Sequence, residues 1–264
     1  MNQKEWEKEH KKLIAEEKRF LKKGKEEKTS FLAEKAERFI SDGVREKLEA
    51  AFRKGFEVVF TKGSPVIEKT YSRTKYEEDY KIHHYAMETK ENKPLSGFKK
   101  KAAAAGRKNL VLSGAEGVGF GILGIVLPDI PVFIGMMMKT VQEIALSYGY
   151  SYESEEEKIF ILKVIRAALS GGDKRADENR SLGKWICGFE NEAMPLEDEI
   201  TKTAKVLSDR LLYMKFIQGI PIVGVLGGIS DFAVTKEISD YSRFIYKKRF
   251  LRDRWKEQKD HEKN

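Results

Sequence analysis

Across 264 residues the chain has one cysteine, Cys187, six prolines and four histidines. A lone cysteine excludes an intramolecular disulfide, so no oxidising compartment is needed. The scarcity of proline favours long helices over a strand-and-turn fold. The histidines are His10, His83, His84 and His261. Asp79 with His83, or His84 with Glu88, could share a helix face, but a stable zinc site needs further ligands and Cys187 is remote in sequence. The start, MNQKEWEKEHKKLIAEEKRF, has no apolar core, so it does not read as a secretory signal and residence inside the cell is expected. No strand-like alternation occurs in the first hundred residues. Gly117-x-Gly119-x-Gly121 lacks a preceding strand and a following Lys-Ser/Thr pair, which excludes a nucleotide fold. No Ser or Cys stands with a His base and an orienting acid, so no catalytic residue and no cofactor is assigned.

Charge, by contrast, is abundant. Charged residues make up 35% of the chain, against about 25% in an ordinary globular domain. The net charge is +8, and the ends hold most of it: 10 Lys/Arg against 7 Asp/Glu in residues 1–30, and 10 against 6 in residues 235–264. Basic ends point to an anionic surface, while long solvated helices use the same residues for solubility. The C-terminal run brings together Lys247, Lys248, Arg249, Arg252 and Arg254 with Phe250, Leu251 and Trp255. Basic and aromatic side chains on one helix suit lipid headgroups. No nucleic-acid recognition motif accompanies them.

Apolar spacing predicts an all-α fold. The first helix carries Trp6, Leu13, Ile14, Phe20 and Leu21 and is expected to stop at Gly24. Further helices are expected over Phe31–Ile40, from Ser41-Asp42, from Ser64-Pro65, around Tyr76–Met87, over Val141–Tyr148, from Ser154, around Ile200–Leu212 and from Thr235 to about Lys259. Residues 173–195 read as a polar connection with a short helix at Leu182–Cys187. The organisation expected is a charged helix over 1–29, a compact helical domain over 30–259 and a tail over 260–264.

Two glycine-rich apolar segments interrupt this pattern. Gly117, Gly121 and Gly124 in the first, and Gly224 and Gly228 in the second, lie three or four apart, which sets them on one helix face. Each segment has a proline and an aspartate nearby: Pro128, Asp129 and Pro131, then Pro221 and Asp231. The prolines leave apolar pieces too short for a simple spanning helix of roughly 20 residues. Re-entrant hairpins and a buried core remain as alternatives. Glu116, Asp129, Glu143 and Asp231 are carboxylates in apolar surroundings, read as helix caps or structural pairs, or alternatively as the acids of a hydrolase or metal-dependent enzyme.

The run from Glu116 to Tyr150 resembles the signature of the EcsC family. Its parts here are the glycines from Gly117 to Gly124, Asp129-Ile130-Pro131, Gln142-Glu143-Ile144-Ala145 and Tyr148-Gly149-Tyr150. The later stretch bearing Gly224, Gly228 and Asp231 resembles the family's C-terminal block. The likeness is strong over 110–170 and 200–250 and weaker over 30–95. That family is named for a bacterial gene beside an ABC transporter and carries no established activity. The resemblance implies a bacterial protein at the inner face of the cell membrane with a membrane transporter as partner. The basic ends and apolar segments add the expectation of a non-enzymatic accessory protein docked on an anionic membrane surface. A soluble helical scaffold is the remaining alternative.

Overall fold

The computed structural model describes residues 3–28, 41–63, 72–88, 96–106, 130–189, 195–217 and 229–261. Among them there are helices and no strand. In chain order these are α1 (Gln3–Lys28), α2 (Asp42–Val58, closed by a π-helical turn Val59–Gly63), α3 (Arg73–Glu88), α4 (96–106), α5 (Ile130–Ser147), α6 (Glu155–Leu169), α7 (Gly172–Ile186), α8 (Leu196–Ile217) and α9 (Ile229–His261).

The core is built on α5 and α6. Ile134, Met137, Val141, Ile144 and Ala145 of α5 are fully buried, as are Phe160, Ile161, Leu162, Val164 and Ile165 of α6. Each large apolar side chain so buried contributes roughly 1.5–3 kcal/mol. Helix α5 is long and apolar enough to cross a membrane, yet 83% of it is buried inside the fold, as in a core helix. Helix α2 packs on α5 and α8, α3 on α5, and α8 on α6. Helix α9, 33 residues and roughly 50 Å long at 1.5 Å per residue, crosses α5, α6, α8 and α1.

Local chemistry sets the boundaries. Ser154 caps α6, its Oγ accepting from the Glu157 amide at 3.2 Å, and Glu155, Glu156 and Glu157 face the positive helix end. Helix α5 ends in a Schellman motif: the Tyr150 amide donates to Ala145 O at 3.0 Å and the Gly149 amide to Leu146 O at 2.9 Å. That motif needs a left-handed residue, and Gly149 has φ 84°. A Cβ there would also stand 2.3 Å from the Tyr80 ring.

Three sequence expectations are corrected. Helix α1 does not stop at Gly24 but runs to Lys28. Gly24 instead lets α7 approach, since a Cβ on it would lie 2.5 Å from Arg175 Cδ. The segment read as a polar connection over 173–195 holds a full helix, Gly172–Ile186, whose inward positions include Arg175 and Asn179. The last helix begins at Ile229, six residues before Thr235, which puts Asp231 inside its first turn. The helix expected over Phe31–Ile40, the start at Ser64-Pro65 and the glycine-rich segments with Glu116, Gly117, Gly121, Gly124, Asp129, Gly224 and Gly228 lie outside the described residues. The predicted caps at Asp129 and the proposed hairpins therefore lie there too.

Gly149→Ala should lower stability by roughly 1–3 kcal/mol, the cost of a strained backbone conformation, because Ala disfavours this φ and Tyr80 must also move. Urea denaturation measures it; an unchanged midpoint would contradict the reading of this turn.

Candidate functional site

The cations of α9 expected at headgroups are engaged by other parts of the fold. Lys247 is 6% exposed and pairs with Glu16 at 3.2 Å and Glu9 at 3.5 Å, both on α1. Lys248 donates to Glu17 at 2.8 Å. Arg249 meets Glu157 at 2.8 Å and lies over the rings of Tyr150 and Phe160, 4.1 and 4.7 Å from their centroids. Arg252 donates to the Cys187 carbonyl at 2.8 Å, and Arg254 to the Tyr80 hydroxyl at 3.1 Å. Trp255 stacks on Trp6 of α1 at 4.4 Å. The basic helix is thus held against α1, α3 and α6 by ion pairs, donated hydrogen bonds and rings.

Glu9 anchors this seam. It is 8% exposed and is met by Lys12 at 2.8 Å, by Lys99 of α4 and by Lys247. Burial pushes its carboxyl up, but the hydrogen bonds and charges of those lysines outweigh burial and hold it down at about 2. Burial also raises Glu17, and Lys248 and Asn179 more than reverse this, leaving it below the ordinary carboxylate value. Glu237 behaves alike, with Arg210 and Lys23 as the opposing cations. Arg175, 1% exposed, donates Nε to Ser170 O at 2.5 Å and lies 4.8 Å over the Phe20 ring. It closes the C-terminal end of α6 and fixes α1 against α7.

Between α1, α4, α8 and α9 lies a cavity of about 1000 Å³. Among the described residues its lining holds nine cations: Lys12, Arg19 and Lys23 from α1, Lys99, Arg175 and Arg210, and Lys236, Arg243 and Lys247 from α9. Three acids line it, Glu16, Glu237 and Asp240. Its apolar wall includes Phe20, stacked on Tyr241 at 4.3 Å, together with Phe244 and Met214. The sequence reading did not anticipate this cavity, since its lining residues are spread from position 12 to position 247.

The described family-motif residues up to Tyr150 sit on or next to α5, and Tyr148 among them reaches the cavity. Gln142 and Glu143 are buried on α5, and Glu143 hydrogen-bonds with Tyr76 of α3. Burial, then the Glu143 charge, pushes the Tyr76 hydroxyl well above its ordinary pKa. Tyr148 is buried beside Phe250 and Phe98 and lines the cavity. Pro131 occupies the first turn of α5, where its missing N–H costs nothing. Asp79, considered above as a ligand beside His83, pairs with Lys101. His83 rests edge-on against Phe98. No group of three metal-ligating side chains gathers among the described residues.

The model of the EcsC protein family matches residues 3–251, which span α1 to the middle of α9. The chain belongs to the EcsC protein family. Protein EcsC of Bacillus subtilis (strain 168) is 28% identical over 145 residues, 54% of this chain and 59% of that protein. The uncharacterized protein YdbA of the same organism is 25% identical over 178 residues, 62% of each. The chain therefore aligns with under two thirds of these relatives' length. No solved structure matches. The EcsC match includes α1, so the glutamates that receive the α9 lysines lie within the family region.

Glu9 gives the seam a signed pH dependence. Its carboxyl titrates near 4.5 in an unperturbed chain and near 2 in the fold. Its stabilisation is therefore complete above about 4.5 and is lost as pH falls towards 2. Denaturation midpoints of the native chain and Glu9→Gln should differ most at neutral pH and converge in acid. A gap independent of pH would contradict the assignment.

Proposed function

We propose that this protein is a non-enzymatic accessory protein that docks reversibly on an anionic membrane surface through the outer face of α1. The observation that carries this reading is the division of charge on that helix. Glu9 and Glu17 turn inward to α9, while Lys4, Lys8, Lys11, Lys18 and Lys22 recur at three-, four- and seven-residue spacing on the outside. All five are exposed. Among the described side chains of α1, exposed positions carry eight cations (these five with Lys12, Arg19 and Lys23) against Glu5, Glu7 and Glu16. The excess at these positions is five charges.

A headgroup layer adds about 1 kcal/mol for each Lys or Arg near it. Near the start of the stripe stands the half-exposed Trp6–Trp255 stack, with the Lys259 ammonium 5.1 Å from the centroid of the Trp255 ring. Amphipathic aromatic rings flanked by lysine favour the membrane–water boundary. The internal pairing of Lys247, Lys248 and Arg249 moves the proposed contact from the end of α9, where the sequence reading placed it, to α1. In this account the protein works at the inner face of the cell membrane, beside the transporter that the family resemblance implies.

Full-length protein should sediment with phosphatidylglycerol vesicles at low salt, stay in solution with phosphatidylcholine vesicles, and be released as salt shortens the screening length. Replacing all five stripe lysines by glutamate should abolish sedimentation while leaving the helical circular dichroism intact. Failure of the native chain to bind anionic vesicles would leave the soluble scaffold reading in its place.

A further inference from the structure

The cavity beside α1 makes a demand of its own, separate from bilayer docking. Its described lining has six more cations than acids. Gathering like charges around a recess raises the local positive potential and draws an anion towards it. Most of these cations already hold a carboxylate: Lys12, Lys99 and Lys247 share Glu9, and Arg210 and Lys23 share Glu237. Arg19, on the rim, makes no ion pair or hydrogen bond among the described residues and is exposed. The other half of the recess is apolar, with the Phe20–Tyr241 stack and Phe244, 5.7 Å from Tyr241, along one side.

We infer that this cavity binds a single anionic amphiphile, an acyl chain ending in a phosphate or carboxylate, with the anionic group at Arg19 and the chain along Phe20, Tyr241 and Phe244. Neither half of the lining fits a simpler ligand. A bare hydrocarbon would leave Arg19 without an anion, and a small hydrophilic anion would make no use of the apolar wall. The volume of about 1000 Å³ lies at the upper end of ordinary ligand pockets, as an acyl chain with a headgroup needs. Binding here takes up a monomer and leaves the outward lysine stripe of α1 unoccupied.

The test uses the full-length chain and calorimetry below the micelle concentration. The probes are oleoyl lysophosphatidic acid, oleate, oleoyl lysophosphatidylcholine and inorganic phosphate. Saturable one-to-one binding of the first or second is expected, with the zwitterionic lipid and free phosphate at least tenfold weaker. Lysophosphatidic acid alone would identify a phosphate headgroup, oleate alone a fatty carboxylate, and both a site that reads charge and chain. Arg19→Glu should weaken binding by roughly tenfold or more, the scale of one charge-assisted hydrogen bond, without lowering the melting temperature, since no described ion pair is lost. Ala103→Phe, which fills the cavity from α4, should weaken the acyl ligands and spare the fold. The five-lysine glutamate variant should keep monomer binding while losing vesicles, which separates this site from the docking face. Equal affinity for the zwitterionic lipid, phosphate binding as tight as the amphiphile, or no binding at all would overturn the assignment.

Discussion

Burying the Lys247 ammonium group on α9 is the constraint on which the architecture turns. A buried cation without a partner is costly enough that the fold must supply an anion within reach. For buried Lys247 that anion comes from Glu9 and Glu16, and half-buried Lys248 pairs likewise with Glu17, all more than 230 residues away in sequence. The first helix is therefore held against the last, and the residues of α1 become sorted by sign. Inward glutamates face α9, and outward lysines face solvent. The aromatic contacts reinforce the same junction, with Trp6 on Trp255 at one end and Phe20 on Tyr241 further along.

The same sorting makes the cavity. Where α1 meets α9 through long charged side chains, the two helices leave a recess whose lining includes Lys12, Arg19 and Arg243. Arg175, also in the lining, satisfies carbonyls at the end of α6 and stacks on Phe20. A second buried charge cluster, Arg166 with Glu178 and Glu199, ties α6 to α7 and α8. Such clusters give orientation, since each cation accepts only a few geometries. They contribute less to net stability than the surrounding apolar core, because desolvation offsets much of their attraction.

The all-α class, the starts at Asp42 and Ser154 and the family were legible in the sequence, for reasons visible in the structure. Apolar periodicity marks a helix whose buried face is apolar, as in α6, and Ser154 with three following glutamates marks its start. Helix α7 escaped the same test because two of its inward positions, Arg175 and Asn179, are polar: one caps α6, the other joins Glu17 to Tyr241. Gly24 was misread as a stop because its reason is a neighbour, Arg175, more than 150 residues away. The clustered charge of α9 was plain, but its direction was not. Whether a lysine faces water or a buried glutamate is decided by tertiary pairing, which no local pattern records. The lysine stripe of α1 was present in the spacing all along and gains meaning only once the glutamates between are placed inward.

Hydrogen exchange across α1 tests the central claim, that the α9 lysines hold the first helix in place. In the native chain the amides around Leu13 to Phe20 should be protected nearly as well as the neighbouring segments of α7 and α9, because they form one packed unit. In Lys247→Glu, which turns an attraction to Glu9 and Glu16 into repulsion, protection should fall across α1 while α5, α6 and α8 keep theirs. Rapid exchange of α1 already in the native chain, or protection untouched by Lys247→Glu, would contradict the account.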